Sequence, residues 1–197
     1  MKINFAPNTA FRAKLIRENV PIEKLSHNTN YKPCFVSVLE IETDKAGDVI
    51  SLSDSARAWG ETSYFAQNIA DNAMKIHKSG VLDKNRKIYI STLQNGDFEK
   101  LEPTSILGMA ETTITKKNKL KIEALQSAPD AMYSKNKKAL YKNIGKSIVK
   151  SLQKQKENKV ISLKSMYSAT GFYEKMGFKL IDPAQLLYEW RKFKPKH

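Results

Sequence analysis

The segment from residue 120 to residue 163 constrains the fold of this chain more than any other. Apolar runs at 120–127 and 160–163 flank a stretch at 143–155 in which apolar residues recur at helical spacing. Two strands joined by a helix in this way run parallel. Their right-handed crossover points the N-terminus of the helix at the carboxyl end of the first strand. The pattern therefore predicts a β-α-β unit with an anion-binding end.

The remaining apolar patterns predict an α/β (α+β) domain, in which helices flank a mixed, largely antiparallel sheet. Ser53 and Asp54 are candidate N-caps of a helical segment that Gly80 ends. The predicted elements are a strand at 35–41, one helix or two with a break near Gly60 at 54–79, antiparallel strands at 88–90, 106–115 and 120–127, a helix at 143–155, a strand at 160–163, a short helix at 169–176, and a strand pair at 178–181 and 186–190.

Residues 1–33 differ from the rest of the chain in being polar and interrupted by Pro7, Pro21 and Pro33. We interpret them as a loop-like N-terminal extension that lies on the domain formed by residues 34–197. The sequence shows no internal repeat of the length found in solenoid proteins, which excludes repeat architectures.

The composition indicates which partners the chain favours and in which compartment we expect it. Thirty-four Lys and Arg against 20 Asp and Glu give a formal net charge of +14, which favours partners that carry phosphate. The single cysteine, Cys34, has no internal disulfide partner, and the absence of a Cys/His cluster predicts no metal site. No run reaches the roughly 20 apolar residues that cross a bilayer, and the N-terminus has no signal-peptide pattern. We expect a cytoplasmic protein that does not enter the membrane.

The start of the 143–155 helix has the features of a phosphate site. Lys142, Asn143, Ile144, Gly145, Lys146 and Ser147 surround it. Gly145 permits close approach of a ligand to the backbone, and the free N–H groups and the helix dipole favour an anion. The alternative interpretation is an amphipathic helix whose glycine serves only close packing.

Four segments resemble the GNAT (Gcn5-related N-acetyltransferase) family, and the resemblance covers about residues 35–190. Residues 105–110 and 122–129 look like the third and fourth strands of the family, the latter ending before Pro129. Residues 140–147 look like its R/Q-x-x-G-x-G/A loop, with Asn143 at the first glycine; asparagine adopts positive φ more readily than most residues. Residues 169–178 closely match A-x-x-F-Y-E-K-x-G-F and are the most specific segment.

The resemblance implies acetyl transfer from acetyl-CoA to a primary amine, of a small molecule or of a protein, by direct attack. It places the pantetheine of the donor beside the backbone of Leu125 and Ser127. It also makes Tyr173 the general acid, since a phenol with an ordinary pKa of about 10 is protonated at neutral pH. The alternative is that Tyr173 is an aromatic residue packed at the edge of the core.

An ammonium acceptor must lose a proton before it attacks, so the reaction also needs a base. Glu123 and Glu111 are the candidates carried by strands. Both could instead be cross-strand partners of lysines.

The charge is unevenly distributed along the chain. Residues 116–159 hold 13 Lys and three acids, a net +10, and Lys137, Lys138, Lys142 and Lys146 are candidate partners for the phosphates of coenzyme A. Residues 40–61 hold six acids and two bases, a net −4. The resemblance implies that the region after the first strand borders the acceptor pocket, where such a charge favours a cationic amine acceptor.

Two other functions fit the same sequence. One is a basic nucleic-acid-binding protein, although no motif that reads bases is present. The other is a GNAT-like module that binds coenzyme A without catalysis. The residues leave a monomer and a homodimer equally open.

Overall fold

The structure is a computed structural model that describes residues 13–26, 30–132 and 138–192. Within these ranges the strands are β1 (Lys14–Ser26), β2 (Asn30–Ile41), β3 (Arg86–Thr92), β4 (Ile106–Ile114), β5 (Leu120–Ser127), β6 (Tyr141–Lys142), β7 (Val160–Lys164), β8 (Lys179–Asp182) and β9 (Leu187–Arg191). The α-helices are α1 (Ala46–Ala58), α2 (Tyr64–Ser79), α3 (Ile144–Lys154) and α4 (Thr170–Lys175). Each of these described helices is too short or too polar to cross a membrane.

The strands form one sheet in the order β6-β1-β2-β3-β4-β5-β7-β9-β8. Every neighbouring pair of described strands is antiparallel except β5 and β7, which are parallel and are joined through α3. The predicted fold class, a mixed and largely antiparallel sheet with one β-α-β unit, is confirmed. The predicted antiparallel run of β3, β4 and β5 is also confirmed.

The prediction of a loop before residue 34 is wrong for the described residues of that segment. Residues 14–26 form β1, which pairs along β2 from Lys14 to Ser26. Val20 and Ile22 lie two residues apart and are buried, which is the strand period of two. Pro21 between them is exposed, at a place where β6 does not cover β1, and proline is tolerated at a sheet edge. Residues 1–12 and 27–29 lie outside the described residues.

The predicted helical segment is two helices, with the break at Gly60, whose φ is +81°. Gly80 ends α2 in the left-handed conformation, as predicted. The predicted N-caps Ser53 and Asp54 are wrong, because α1 already begins at Ala46 and contains both residues. Burial of Val49 and Leu52 against the sheet brings this earlier turn into the helix.

The helices cover both faces of the sheet. Helices α1 and α2 pack on one face through a core that includes Leu52, Ile69 and Ile90. Helix α3 packs on the other face, where Ile148 and Leu152 contact a second core. The central strands are therefore buried on both sides.

Gly108 on β4 sets how closely α3 approaches the sheet. A Cβ at this position would lie 2.7 Å from Cγ2 of Ile144 and 3.2 Å from Cδ1 of Ile148. Both isoleucines are buried, so neither has free space into which to move. The first turn of α3 therefore depends on the absence of a side chain at residue 108.

We expect Gly108→Ala to lower the free energy of unfolding by about 1–3 kcal/mol, because overpacking displaces α3. Urea unfolding followed by circular dichroism measures the change. Gly171→Ala is the matched control, since among the described residues no atom beyond its chain neighbours and its own helix backbone lies within 4 Å of a Cβ built there, and alanine favours helices. Equal stability of the two variants would contradict the packing role of Gly108.

Candidate functional site

The strands β5 and β7 separate halfway along β5. Their parallel pairing covers three residue pairs and ends at Ile122 and Leu163. On its other side β5 pairs with β4, and there the register shifts: Glu111 is opposite Ala124, while Thr112 is opposite Ile122. Glu123 is thus an extra residue on β5. Such a β-bulge bends its strand, which accounts for the gap between β5 and β7 beyond Ile122.

The first turn of α3 lies beside this gap. Asn143 precedes it with φ of +69°, in the left-handed conformation that asparagine adopts more readily than most residues, and its side chain does not cap the helix. The first helical hydrogen bond runs from the N–H of Ser147 to the carbonyl of Asn143. The N–H groups of Ile144, Gly145 and Lys146 precede that bond, so they have no acceptor within the helix. This turn can therefore accept an anion.

A cavity of about 420 Å³, here called the α3-side cavity, opens between the end of β5, α3 and α4. A Cβ built on Gly145 would lie 3.5–3.8 Å from the side chains of Phe172, Leu125 and Ser127. The glycine therefore leaves open the space between these three side chains. The lining residues are Leu125, Ser127, Ala131, Asn143, Ile144, Gly145, Lys146, Ala169, Phe172, Tyr173, Lys175 and Met176.

A smaller cavity of about 90 Å³, the α2-side cavity, reaches the same gap from the α2 side. Its walls include Phe65 on α2, Met166 and Glu123. Gln126 on β5 accepts a hydrogen bond of 3.0 Å from the N–H of Ala66 and so ties β5 to the first turn of α2. Leu125, Ala169 and Tyr173 line both cavities.

Tyr173 lies where the two cavities meet. Its side chain is 8% exposed and packs edge to face against Phe172 and Phe178, with ring centroids 5.0 and 5.8 Å apart. Burial raises the pKa of the phenol to about 12, because the charged form loses its hydration. The phenol is therefore neutral at physiological pH and is able to donate a hydrogen bond.

The two candidate bases lie in different environments. Glu123 is exposed in the α2-side cavity, 2.6 Å from both Lys121 and the hydroxyl of Thr113. Partial burial opposes its ionisation, but the hydrogen bonds and positive charge of its neighbours prevail and lower its pKa. Glu111 is buried; Arg86 and the Asn72 amide both donate hydrogen bonds to its carboxylate. Glu111 lines neither cavity.

The residues expected around the phosphate site divide into two groups. Leu125, Ser127, Asn143, Ile144, Gly145 and Lys146 line the α3-side cavity. Lys142 lies outside its lining, with the ammonium 3.3 Å from the centre of the Tyr31 ring. Ser147 also lies outside it, because its buried hydroxyl contacts Ser91 at 3.0 Å and donates to the Ile144 carbonyl.

Sequence reasoning missed several residues of the α3-side cavity. Ala131, Phe172, Lys175 and Met176 line it, and three of these belong to the 169–178 motif that was recognised. Helical spacing from Tyr173 is a signal that could have identified Met176, three residues later, and Ala169, four residues earlier, which also lines the cavity. Of the other candidate lysines, Lys138 is exposed and Lys137 lies outside the described residues.

Two further features bear on the chemistry. Within the described ranges, no group of three or more His, Cys, Asp and Glu side chains is arranged to hold a metal. The acidic segment 40–61 lines neither cavity that contains Tyr173. Its charges are partly neutralised locally, as in the 2.9 Å pair of Glu42 with Lys45 and the 3.2 Å pair of Asp54 with Arg57.

No family model matches the sequence, and no curated protein matches it. Among solved structures, a proposed GNAT-family acetyltransferase from Desulfovibrio desulfuricans superposes with a TM-score of 0.51 and 13% identity, over 78% of this chain and 98% of that one. An uncharacterized protein from Bacillus halodurans superposes with a TM-score of 0.50 and 13% identity, over 89% and 92% of the two chains. The chain therefore has the GNAT fold.

The raised pKa of Tyr173 predicts a specific loss of stability at alkaline pH. The unfolded phenol ionises near pH 10, whereas the folded one stays neutral up to about pH 12. Between these values the free energy of unfolding falls, by roughly 1.4 kcal/mol per pH unit for this group, and the stabilisation is complete below pH 10. The Tyr173→Phe variant lacks this component, so its stability rises relative to wild type over that interval.

Urea unfolding of wild type and variant at a series of pH values measures this difference. Tyr64→Phe is the control, because Tyr64 is 64% exposed. A constant difference between wild type and Tyr173→Phe from pH 8 to pH 12 would show that Tyr173 titrates as an exposed tyrosine does.

Proposed function

We propose that this chain is an acetyl-CoA-dependent N-acetyltransferase that acts by direct attack of a primary amine on the thioester. One observation carries the proposal: the first turn of α3 at Gly145, the separated end of β5 and Tyr173, whose phenol is neutral, all line one cavity. The acetyltransferase from Desulfovibrio desulfuricans is 13% identical in sequence to this chain, a likeness that shows the fold and not the reaction. The proposal therefore depends on the site itself.

The donor would enter the α3-side cavity. The first turn of α3 would bind its pyrophosphate, and Lys146 and Lys175 line the same cavity and add positive charge. The pantetheine would lie along β5 at Leu125 and Ser127, where β7 no longer pairs with the strand. The acetyl group would then reach the gap at Tyr173.

The acceptor would approach from the α2-side cavity. Its nitrogen attacks the carbonyl carbon, a C–N bond forms, and the C–S bond then breaks. Tyr173 donates a hydrogen bond to the departing sulfur and passes its proton to it. Before the attack Glu123 takes one proton from the ammonium form of the acceptor, and after the attack the nitrogen loses a second proton, which restores the Tyr173 phenol. The return of a proton to the phenol is needed because a phenol with a pKa of about 12 is a weaker acid than a thiol with an ordinary pKa near 8.5, so the transfer to the thiolate is unfavourable by itself.

Glu123 is the better-placed base of the two candidates, since it is ionised and lines the α2-side cavity. For Glu111 we propose a positioning role, in which its contacts with Arg86 on β3 and Asn72 on α2 hold the helix on the sheet. We also propose that the enzyme works in the cytoplasm and uses no metal.

Calorimetry with acetyl-CoA tests the donor site. We expect Gly145→Leu to abolish measurable binding, because the leucine side chain fills the space between Phe172, Leu125 and Ser127. Gly145→Ala is the matched control, since its Cβ makes only ordinary contacts. Both substitutions favour a helix over glycine, so neither is expected to unfold α3. Equal binding by wild type and Gly145→Leu would overturn this donor site.

Steady-state release of the coenzyme A thiol tests Tyr173. We expect Tyr173→Phe to lower the turnover number by roughly 10²- to 10⁴-fold while the dissociation constant for acetyl-CoA stays unchanged. Tyr167→Phe, at an exposed tyrosine six residues earlier, serves as the control. Unchanged turnover in Tyr173→Phe would remove its role as acid. Donor binding without thiol release from any amine would instead favour a non-catalytic coenzyme A-binding module.

A further inference from the structure

The outer side of α3 carries a row of lysines. Lys146, Lys150 and Lys154 follow one another at intervals of four residues and so lie on one side of the helix. The apolar residues of α3 are all buried on the opposite side, and the helix contains no acidic residue. These three lysines form what we call the α3 lysine row.

No ion-pair partner of the row occurs among residues 13–26, 30–132 and 138–192. Cations elsewhere in the fold do have partners: Lys87 lies 3.1 Å from Glu40, and Lys119 lies 2.7 Å from Glu189. Within the described part of the chain, the charge of the α3 lysine row is therefore not compensated by an ion pair.

The proposed donor does not account for the whole row. Only Lys146 lines the α3-side cavity. With a helical rise of about 1.5 Å per residue, Lys150 and Lys154 lie about 6 and 12 Å further along the axis, away from the first turn. They are available to a second, longer anion.

The edge of the sheet next to the start of α3 extends this positive surface. Lys24 on β1 is directly opposite Lys32 on β2, and both are exposed. Lys24 lies on the same face of β1 as Val20 and Ile22, which pack with Ile144 of α3. Like charges directly opposite one another on paired strands are destabilising. A bound polyanion would offset that repulsion.

We propose that the α3 lysine row, together with Lys24 and Lys32, binds the phosphate backbone of a nucleic acid. A membrane fits less well, because the exposed side of α3 has no apolar side chain that could enter lipid. A protein partner fits less well, because the row has no exposed aromatic anchor. Lysine ammonium groups act as point charges, so the binding is independent of base sequence.

Fluorescence anisotropy with a labelled mixed-sequence DNA duplex tests the proposal, with a single-stranded RNA as a second probe. We expect wild type to bind with an affinity that falls steeply between about 50 and 200 mM salt. In the double variant Lys150→Gln/Lys154→Gln, the slope of log K against log salt should decrease in magnitude by about 1.8 for the duplex or about 1.4 for the single strand.

The matched control is Lys75→Gln/Lys78→Gln, which removes the same charge from α2 on the other face of the sheet. This control should retain the wild-type slope. Both double variants should bind acetyl-CoA as wild type does, so the result is independent of the donor site. Circular dichroism melts confirm that both variants fold.

Three outcomes would overturn the proposal. The first is no binding of either nucleic acid by the wild-type protein. The second is an equal loss of binding in the two double variants, which would make net charge the sole cause. The third is binding to phosphatidylserine vesicles with none to the two nucleic acids, which would assign the row to a lipid surface.

Discussion

The early end of the parallel pairing between β5 and β7 is the constraint on which the site depends. Hydrogen bonds join these strands only as far as Ile122, because the bulge at Glu123 bends β5 away from its neighbour. A fully paired sheet would leave no space between the two faces. The gap instead exposes the backbone of β5 and admits Tyr173 from α4.

Burial then sets the chemical character of the gap. Aromatic neighbours surround Tyr173 and keep its phenol neutral, whereas Glu123 remains ionised because Lys121 and Thr113 stabilise its charge. The two groups lie on strands and helices that close contacts hold in place. Gly108 lets α3 approach the sheet, and Gln126 ties β5 to α2. The site is thus positioned by packing on both faces of the sheet.

The sequence alone predicts those helices and strands whose local apolar pattern agrees with the contacts that they make in the folded protein. The β-α-β unit is found as predicted, and of the two alternatives for residues 54–79 the structure shows the two helices with a break at Gly60. Strand β1 was missed because β6 covers it only at Glu23 and Lys24, so that the rest of the strand has one unpaired side and tolerates Pro21. The bulge at Glu123 was invisible, since it is a property of the pairing between two strands. Glu111 and Glu123 lie in different environments for the same reason. Glu123 is the extra residue of the bulge, whereas Asn72 on α2 donates a hydrogen bond to Glu111.

The two cavities open on opposite faces of the sheet and share only Leu125, Ala169 and Tyr173. In the proposed reaction, coenzyme A would therefore leave through the α3-side cavity and the acetylated amine through the α2-side cavity. The release of one product would then not depend on the release of the other. A bulky acceptor in the α2-side cavity would also not displace the nucleotide of the donor from the α3-side cavity. The sheet itself then separates the route of the donor from the route of the acceptor.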